Sequence, residues 1–296
     1  MVKVPSGIEK RYKNMNFLVN TLTIGGTAFT YTSSADSTSQ GTGALASLTS
    51  GVDNTAYGVS ALNSVTIGND NTAIGDFTLR TLTTGIDNTA VGSSALAAAT
   101  TGSDNTAIGA YSLDALTEGI DNTAVGKNSL GANTTGANNT AVGSEAGAAI
   151  TVGTGNTAVG AAALDALTTG TNNTAVGFGA LGAATTGIDN TAVGKDALLV
   201  MTVGTGNVAV GNTALDALTT GTNNTAVGFG ALGAATTAVN NVAIGKDALL
   251  SLTIGTGNTA VGNTAMDALT TGNNNVAVGL DALGACLLYT SDAADE

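Results

Sequence analysis

The sequence predicts an all-β protein: a parallel β-solenoid, or β-roll, of seventeen-residue coils, with room for a short helical turn in each coil. Three observations predict it. The pentapeptide Asn190-Thr191-Ala192-Val193-Gly194 returns, with small changes, every seventeen residues from Asn54 to Asn275, fourteen copies without insertion or deletion. Its residues alternate in character with period two, as a short strand requires. The 3% aromatic content, the single Pro and the absence of Trp and His argue against a conventional packed interior, while 43% hydrophobic residues argue against a floppy linker. A unit this short and this strict buries its apolar face only by stacking on its neighbours.

With the Asn as position 1, each unit reads Asn-Thr-Ala-Val-Gly, two variable residues, Ala-Leu, three mostly small or apolar residues, Thr, then Thr, Val or Ile, Gly and two turn residues. In the pentapeptide, Thr191 and Val193 face one way and Ala192 the other, and β-branched Thr, Val and Ile favour the extended chain. Position 3 is Ala in every copy, which implies a place too tight for a larger residue. Position 5 is always Gly, as expected where φ is positive or another backbone comes close.

The second side of the unit, for example Ala214-Leu215-Asp216-Ala217-Leu218-Thr219-Thr220-Gly221, carries a core ladder, since Leu fills position 9 in twelve of fourteen copies, with Gly147 and Met266 the exceptions. Its Ala-Leu-x-Ala-Leu spacing suits one turn of helix, whereas the following Thr-Thr or Thr-Val suits a strand or an irregular run. Both readings stand at this level. Before the Asn come pairs such as Ile-Asp, Ser-Asp, Thr-Asn or Thr-Gly, always ending in Asp, Asn or Gly, the composition of a turn. Stacking would place the Asn residues in a ladder bonded along the axis. At about 4.8 Å per coil, fourteen units make a rod of roughly 65 to 70 Å.

Three regions follow: residues 1–33, an N-terminal cap or attachment segment that includes a strand over Phe17 to Gly26; residues 34–285, the solenoid, whose first unit is degenerate with Ser37 in place of Asn; and residues 286–296, a non-native tail. That tail, CLLYTSDAADE, resembles the translation of a transposase-type sequencing adapter. On this reading the natural protein is cut short and Cys286, the one Cys, carries no redox information. A longer period is overlaid, since residues 155–205 and 206–256 are close copies of three coils each.

Chemistry is sparse. Without His, and with Ser and Thr recurring as ladders, no nucleophile, base and orienter can be assembled, so we expect no enzyme, no catalytic residue, no cofactor and no metal site. Asp53, Asp70, Asp87, Asp104, Asp121 and Asp189 precede the Asn and raise the question of calcium, but they supply one carboxylate per coil and give way to Asn or Gly later, so they read as turn residues. Thr at position 2 in eleven pentapeptides, replaced by Val208, Val242 and Val276, and Thr at position 13 in all thirteen complete units invite an ice-binding reading if they face outward. The competing reading is that Thr simply stacks well. The variable pair after the Gly, such as Phe178-Gly179, Lys195-Asp196 and Phe229-Gly230, is the expected outward decoration, with Lys127, Lys195 and Lys246 at the first of the two positions. The formal charge of −13, about −10 once Asp292, Asp295 and Glu296 are set aside, argues against nucleic acid or an anionic membrane as partner. No apolar run reaches the length of a membrane span. The start, Met1 to Lys13, lacks an apolar core of leader length before Thr21, which suits a virion component or a fragment whose true start is missing.

The units Asn-Thr-Ala-Val-Gly-x-x-Ala-Leu…Thr-Thr-Gly resemble the repeats of phage tail-fibre-like proteins and related bacterial surface proteins, over residues 34–285. The pentapeptide is also similar to the Asn-Ser-Val-Ala-Ile-Gly motif of trimeric autotransporter adhesin heads, a left-handed parallel β-roll with a shorter unit. The resemblance implies a homotrimeric fibre on a virion or at the cell surface, contacting a host receptor or glycan by multivalent display. It also implies, in the tail-fibre families, a C-terminal chaperone peptidase domain beyond the end of this chain. The alternatives are an ice-binding solenoid and a bacterial surface protein with a structural role only.

Overall fold

The computed structural model describes residues 22–24, 27–32 and 36–284. It is a parallel β-solenoid in which every turn of the chain advances by one seventeen-residue unit. The pentapeptide strands, from Thr55–Tyr57 to Val276–Val278, pair in parallel with the same position of the next coil, for instance Thr174 with Thr191 and Ala175 with Ala192. Strand β1 (Leu22–Ile24) pairs antiparallel with β2 (Thr27–Thr32), and β2 pairs antiparallel with β3 (Ser37–Gln40), which begins the parallel stack. The N-terminal edge of the stack is thereby paired rather than open. Of the strand expected over Phe17 to Gly26, only Leu22–Ile24 is described; the remainder of that segment, most of residues 1–33, and the tail 286–296 lie outside the described residues.

Inside each coil the expected alternation holds. Ala at position 3 is sealed from solvent, while Thr and Val on either side of it face outward and are partly exposed. The Asn at position 1 turns inward and is buried from Asn54 to Asn258, as is Leu at position 9 from Leu62 to Leu249; in the last coil Asn275 is half-buried and Leu283 exposed. Buried residues at position 12 complete a narrow core, among them Leu167, Ala184 and Met201. The Gly at position 5 is required on both counts the sequence raised: Gly194 has a φ of 136°, and a Cβ there would lie 2.5 Å from the carbonyl oxygen of Gly211.

The helical reading of the second side is overturned. No residue there is helical; positions 6 to 11 form consecutive tight turns. The cause is Leu at position 9, which stands in the left-handed region, with φ of 54° at Leu215 and 53° at Leu198. A right-handed helix cannot pass through such a residue. The conformation costs an L-residue about 1–2 kcal/mol, and burying the Leu side chain, worth about 2–5 kcal/mol against Ala, offsets it. It also turns the backbone polar groups along the axis, so that Leu198 N–H donates to Ala214 O at 3.0 Å and Thr202 N–H to Thr219 O at 3.0 Å, one coil on. Positions 14 to 16 become strand-like in the C-terminal half: position 16 forms parallel bridges from Thr171 to Thr256, and Ile254–Thr256 pairs as a strand with Thr271–Asn273.

Candidate functional site

Three features of the surface were singled out by sequence, and each has a distinct local cause. The turn before each Asn places its residue in the left-handed region, with φ of 57° at Asp53, Asp70, Asp87, Asp121 and Asp189 and 59° at Asp104. Asp, Asn and Gly share this position because they tolerate that conformation. The carboxylates point to solvent, one per coil, and among the described residues no three His, Cys, Asp or Glu side chains gather as a metal ligand set.

The two Thr ladders differ. At position 13 each hydroxyl donates to the carbonyl of the same position one coil on, as Thr185 Oγ1 does to Thr202 O at 3.1 Å, and thirteen such bonds run from Thr49 to Thr270. These hydroxyls are spent on the fold. At position 2 the Thr side chains flank buried Ala, face outward and make no hydrogen bond among the described residues. Beside them runs a column of Val and Ile at position 4, in which Ile74, Ile108 and Ile244 are exposed. One flat face of the rod is therefore half hydroxyl and half hydrocarbon.

The variable pair after Gly does lie on the outside, and in two places it builds a concavity. Phe178 is exposed beside Gly179, and Gly182 lies three residues further along the same coil, so two adjacent surface positions carry no side chain. The coils on either side carry Asp165, Asp196 and Leu199, which stand around the gap. A Cβ on Gly182 would lie 3.4 Å from Asp165 Oδ1, and one on Gly179 would lie 2.9 Å from Asp196 Oδ1; the carboxylates lean over the glycine floor. The notch measures about 360 Å³.

Fifty-one residues later the same arrangement recurs, with Phe229, Gly230 and Gly233 between Asp216, Asp247 and Leu250, and a volume of about 540 Å³. Lys195 pairs with Asp196 and Lys246 with Asp247, and the Lys246 ammonium sits 5.9 Å from the centre of the Phe229 ring. Lys127 is exposed and has no ion pair among the described residues. Burial pushes the carboxyls of Asp165 and Asp216 above the usual value, an effect reduced by nearby backbone N–H groups and increased by Glu145 for Asp165 and by Asp196 for Asp216.

Reading each coil separately misses Asp165, Asp216, Gly182 and Gly233, because position 10 holds small, apolar and acidic residues in turn. The signal that finds them is the three-coil period, which alone puts Gly at positions 7 and 10 of one coil and Asp on both neighbours. No protein-family model, curated protein or solved structure matches this chain.

Proposed function

We propose that the chain is the shaft or adhesive segment of a fibre on a virion or cell surface, a homotrimer that attaches to a host or surface by multivalent display, and that it acts without catalysis. The observation that carries this reading is the unbroken in-register stack from Thr55 to Val278, a rod whose successive coils are joined along the axis by the same backbone pairs. Such a rod repeats the same weak contact many times, and avidity supplies affinity. The position 2 and 4 face favours lateral association: its Val and Ile column, exposed at Ile74, Ile108, Val142, Val159, Ile244 and Val278 and half-buried between, would be covered by partner copies. Light scattering on residues 1 to 285 tests this. A trimer is expected; a folded monomer at all concentrations would sink it.

One observation favours a second reading. The outward Thr column, interrupted by Val208, Val242 and Val276, has hydroxyls without hydrogen-bond partners among the described residues and repeats coil by coil beside the position 4 methyl groups, as an ice-binding surface requires. Thermal hysteresis in a monomeric preparation would replace the fibre reading with this one.

A further inference from the structure

We propose that the two notches, at Phe178 and at Phe229, are saccharide-binding subsites; they would be the receptor contacts of the attachment role proposed above and rest on it for their biological setting. The argument begins with shape. Among the coils, only these two place Gly at positions 7 and 10 together. Three coils earlier the equivalent space is filled, because Asn128 stands where Gly179 does and its Oδ1 occupies the volume above Gly131, 2.2 Å from where a Cβ would be. Three coils later it is filled again by Asp281, which accepts a hydrogen bond from Thr264 Oγ1. The gap thus opens at Phe178 and Phe229, where both glycines leave it free, and is closed in the coils of Asn128 and Asp281.

Chemistry selects the occupant. One wall is the exposed face and edge of Phe229 and the other the tip of Leu250, both apolar, while Asp216 and Asp247 hold acceptor oxygens over the floor between them. Carboxylates accept and never donate when ionised, so the ligand must bring donors. A pyranose ring offers an apolar C–H face and a rim of hydroxyl donors, which fits an apolar wall and a carboxylate floor at once. A simple cation is the competing match for two acids and an aromatic ring. Lys246 disfavours it, since its ammonium already pairs with Asp247 and lies near the Phe229 ring. Lys195 pairs with Asp196 in the same way in the other notch.

Repetition sets the scale. Fifty-one residues are three coils, so the notches lie on the same side of the rod about 14 Å apart. A polysaccharide chain can reach both, and two linked weak contacts bind far more tightly than one.

The test uses the full chain on an array of neutral hexose and N-acetylhexosamine oligosaccharides, with sialylated oligosaccharides and choline conjugates as competing probes. Wild-type protein is expected to retain neutral oligosaccharides. The double variants Phe178→Ala with Phe229→Ala, and Gly182→Ala with Gly233→Ala, are each expected to lower apparent affinity at least tenfold, and a single-notch variant to remove the avidity gain. The glycine variants keep the fold, since Ala97 and Ala148 stand at the same position in other coils; an unchanged melting curve checks this. Retention of choline in place of sugar, no retention of any saccharide, or retention unaffected by both double variants would overturn the proposal. Light scattering on the same samples separates the two ideas: a trimer that binds no sugar removes the notches and leaves the fibre standing.

Discussion

The side-chain oxygen of Asn190 accepts two hydrogen bonds from Asn207, one coil on: from its backbone N–H and from its Nδ2, each at 3.0 Å. Asn190 Nδ2 in turn donates to Asn173 Oδ1 at 3.1 Å and to Gly204 O at 2.9 Å, so one buried amide ties three coils together. Thirteen such amide-to-amide bonds run without a break from Asn54 to Asn275. This line is what a fully buried polar residue needs in order to be tolerated.

Asn190→Ala leaves the Asn207 donors and the Gly204 carbonyl without that partner in a dry interior. A loss of about 3–5 kcal/mol is expected, from an unsatisfied cost of about 1–3 kcal/mol per group. Urea unfolding measures it; a loss below about 1 kcal/mol would show that the ladder is not a source of stability.

Gly194→Ala is expected to be at least as damaging, about 4 kcal/mol or more, because its φ of 136° and the Gly211 carbonyl 2.5 Å from the new Cβ leave no room to adjust. Gly206→Asn is the control. Its φ is 69°, Asn223 stands at the same position one coil on with a φ of 55°, and the nearest obstacle is the mobile end of that Asn side chain. A change within about 1 kcal/mol is expected there.

For the turn, Asp189→Asn is expected to change stability by less than about 0.5 kcal/mol, since Asn172 and Asn223 hold the same left-handed conformation. Asp189→Val is expected to cost about 1–2 kcal/mol for a β-branched residue at positive φ. If the carboxylates instead served calcium, millimolar calcium would raise the melting temperature of wild type; curves with and without calcium are expected to coincide.

Acidity gives a fourth test. Burial raises the Asp216 carboxyl, so the folded chain holds that proton more tightly than the unfolded one. Its contribution therefore favours the fold below the ordinary value of 3.8 and is lost as pH rises through the raised folded value. Asp216→Asn is expected to melt slightly higher than wild type at pH 7, on the order of 1 °C, and to match it near the acid end, where Asp216 is neutral. Asn63 already stands at this position in the coil that begins at Asn54, which makes the change structurally mild. A variant that melts lower at pH 7 would contradict the burial argument.

Much of this was legible from the residues. Identical residues seventeen apart can stack only in register, so coil length, strand position, the buried Ala, Asn and Leu ladders and the close approach at Gly194 follow from the repeat itself. Local propensity failed at Leu215, where Ala-Leu-x-Ala-Leu spells a helical turn in isolation. The left-handed Leu wins because its cost is met by hydrogen bonds to the next coil, which no local window contains.

The tertiary structure alone decided what each ladder does. Thr185 and Thr191 are the same residue type in the same repeat, yet one hydroxyl is bound to the carbonyl of Thr202 and the other faces outward without a partner among the described residues. That difference depends on the direction of the backbone after the position 9 turn. The notches arise likewise, because Asp165, Gly182 and Asp196 come from three successive coils and meet only when those coils stack. The repeat determines what lies above what; the turns determine which side chains face outward.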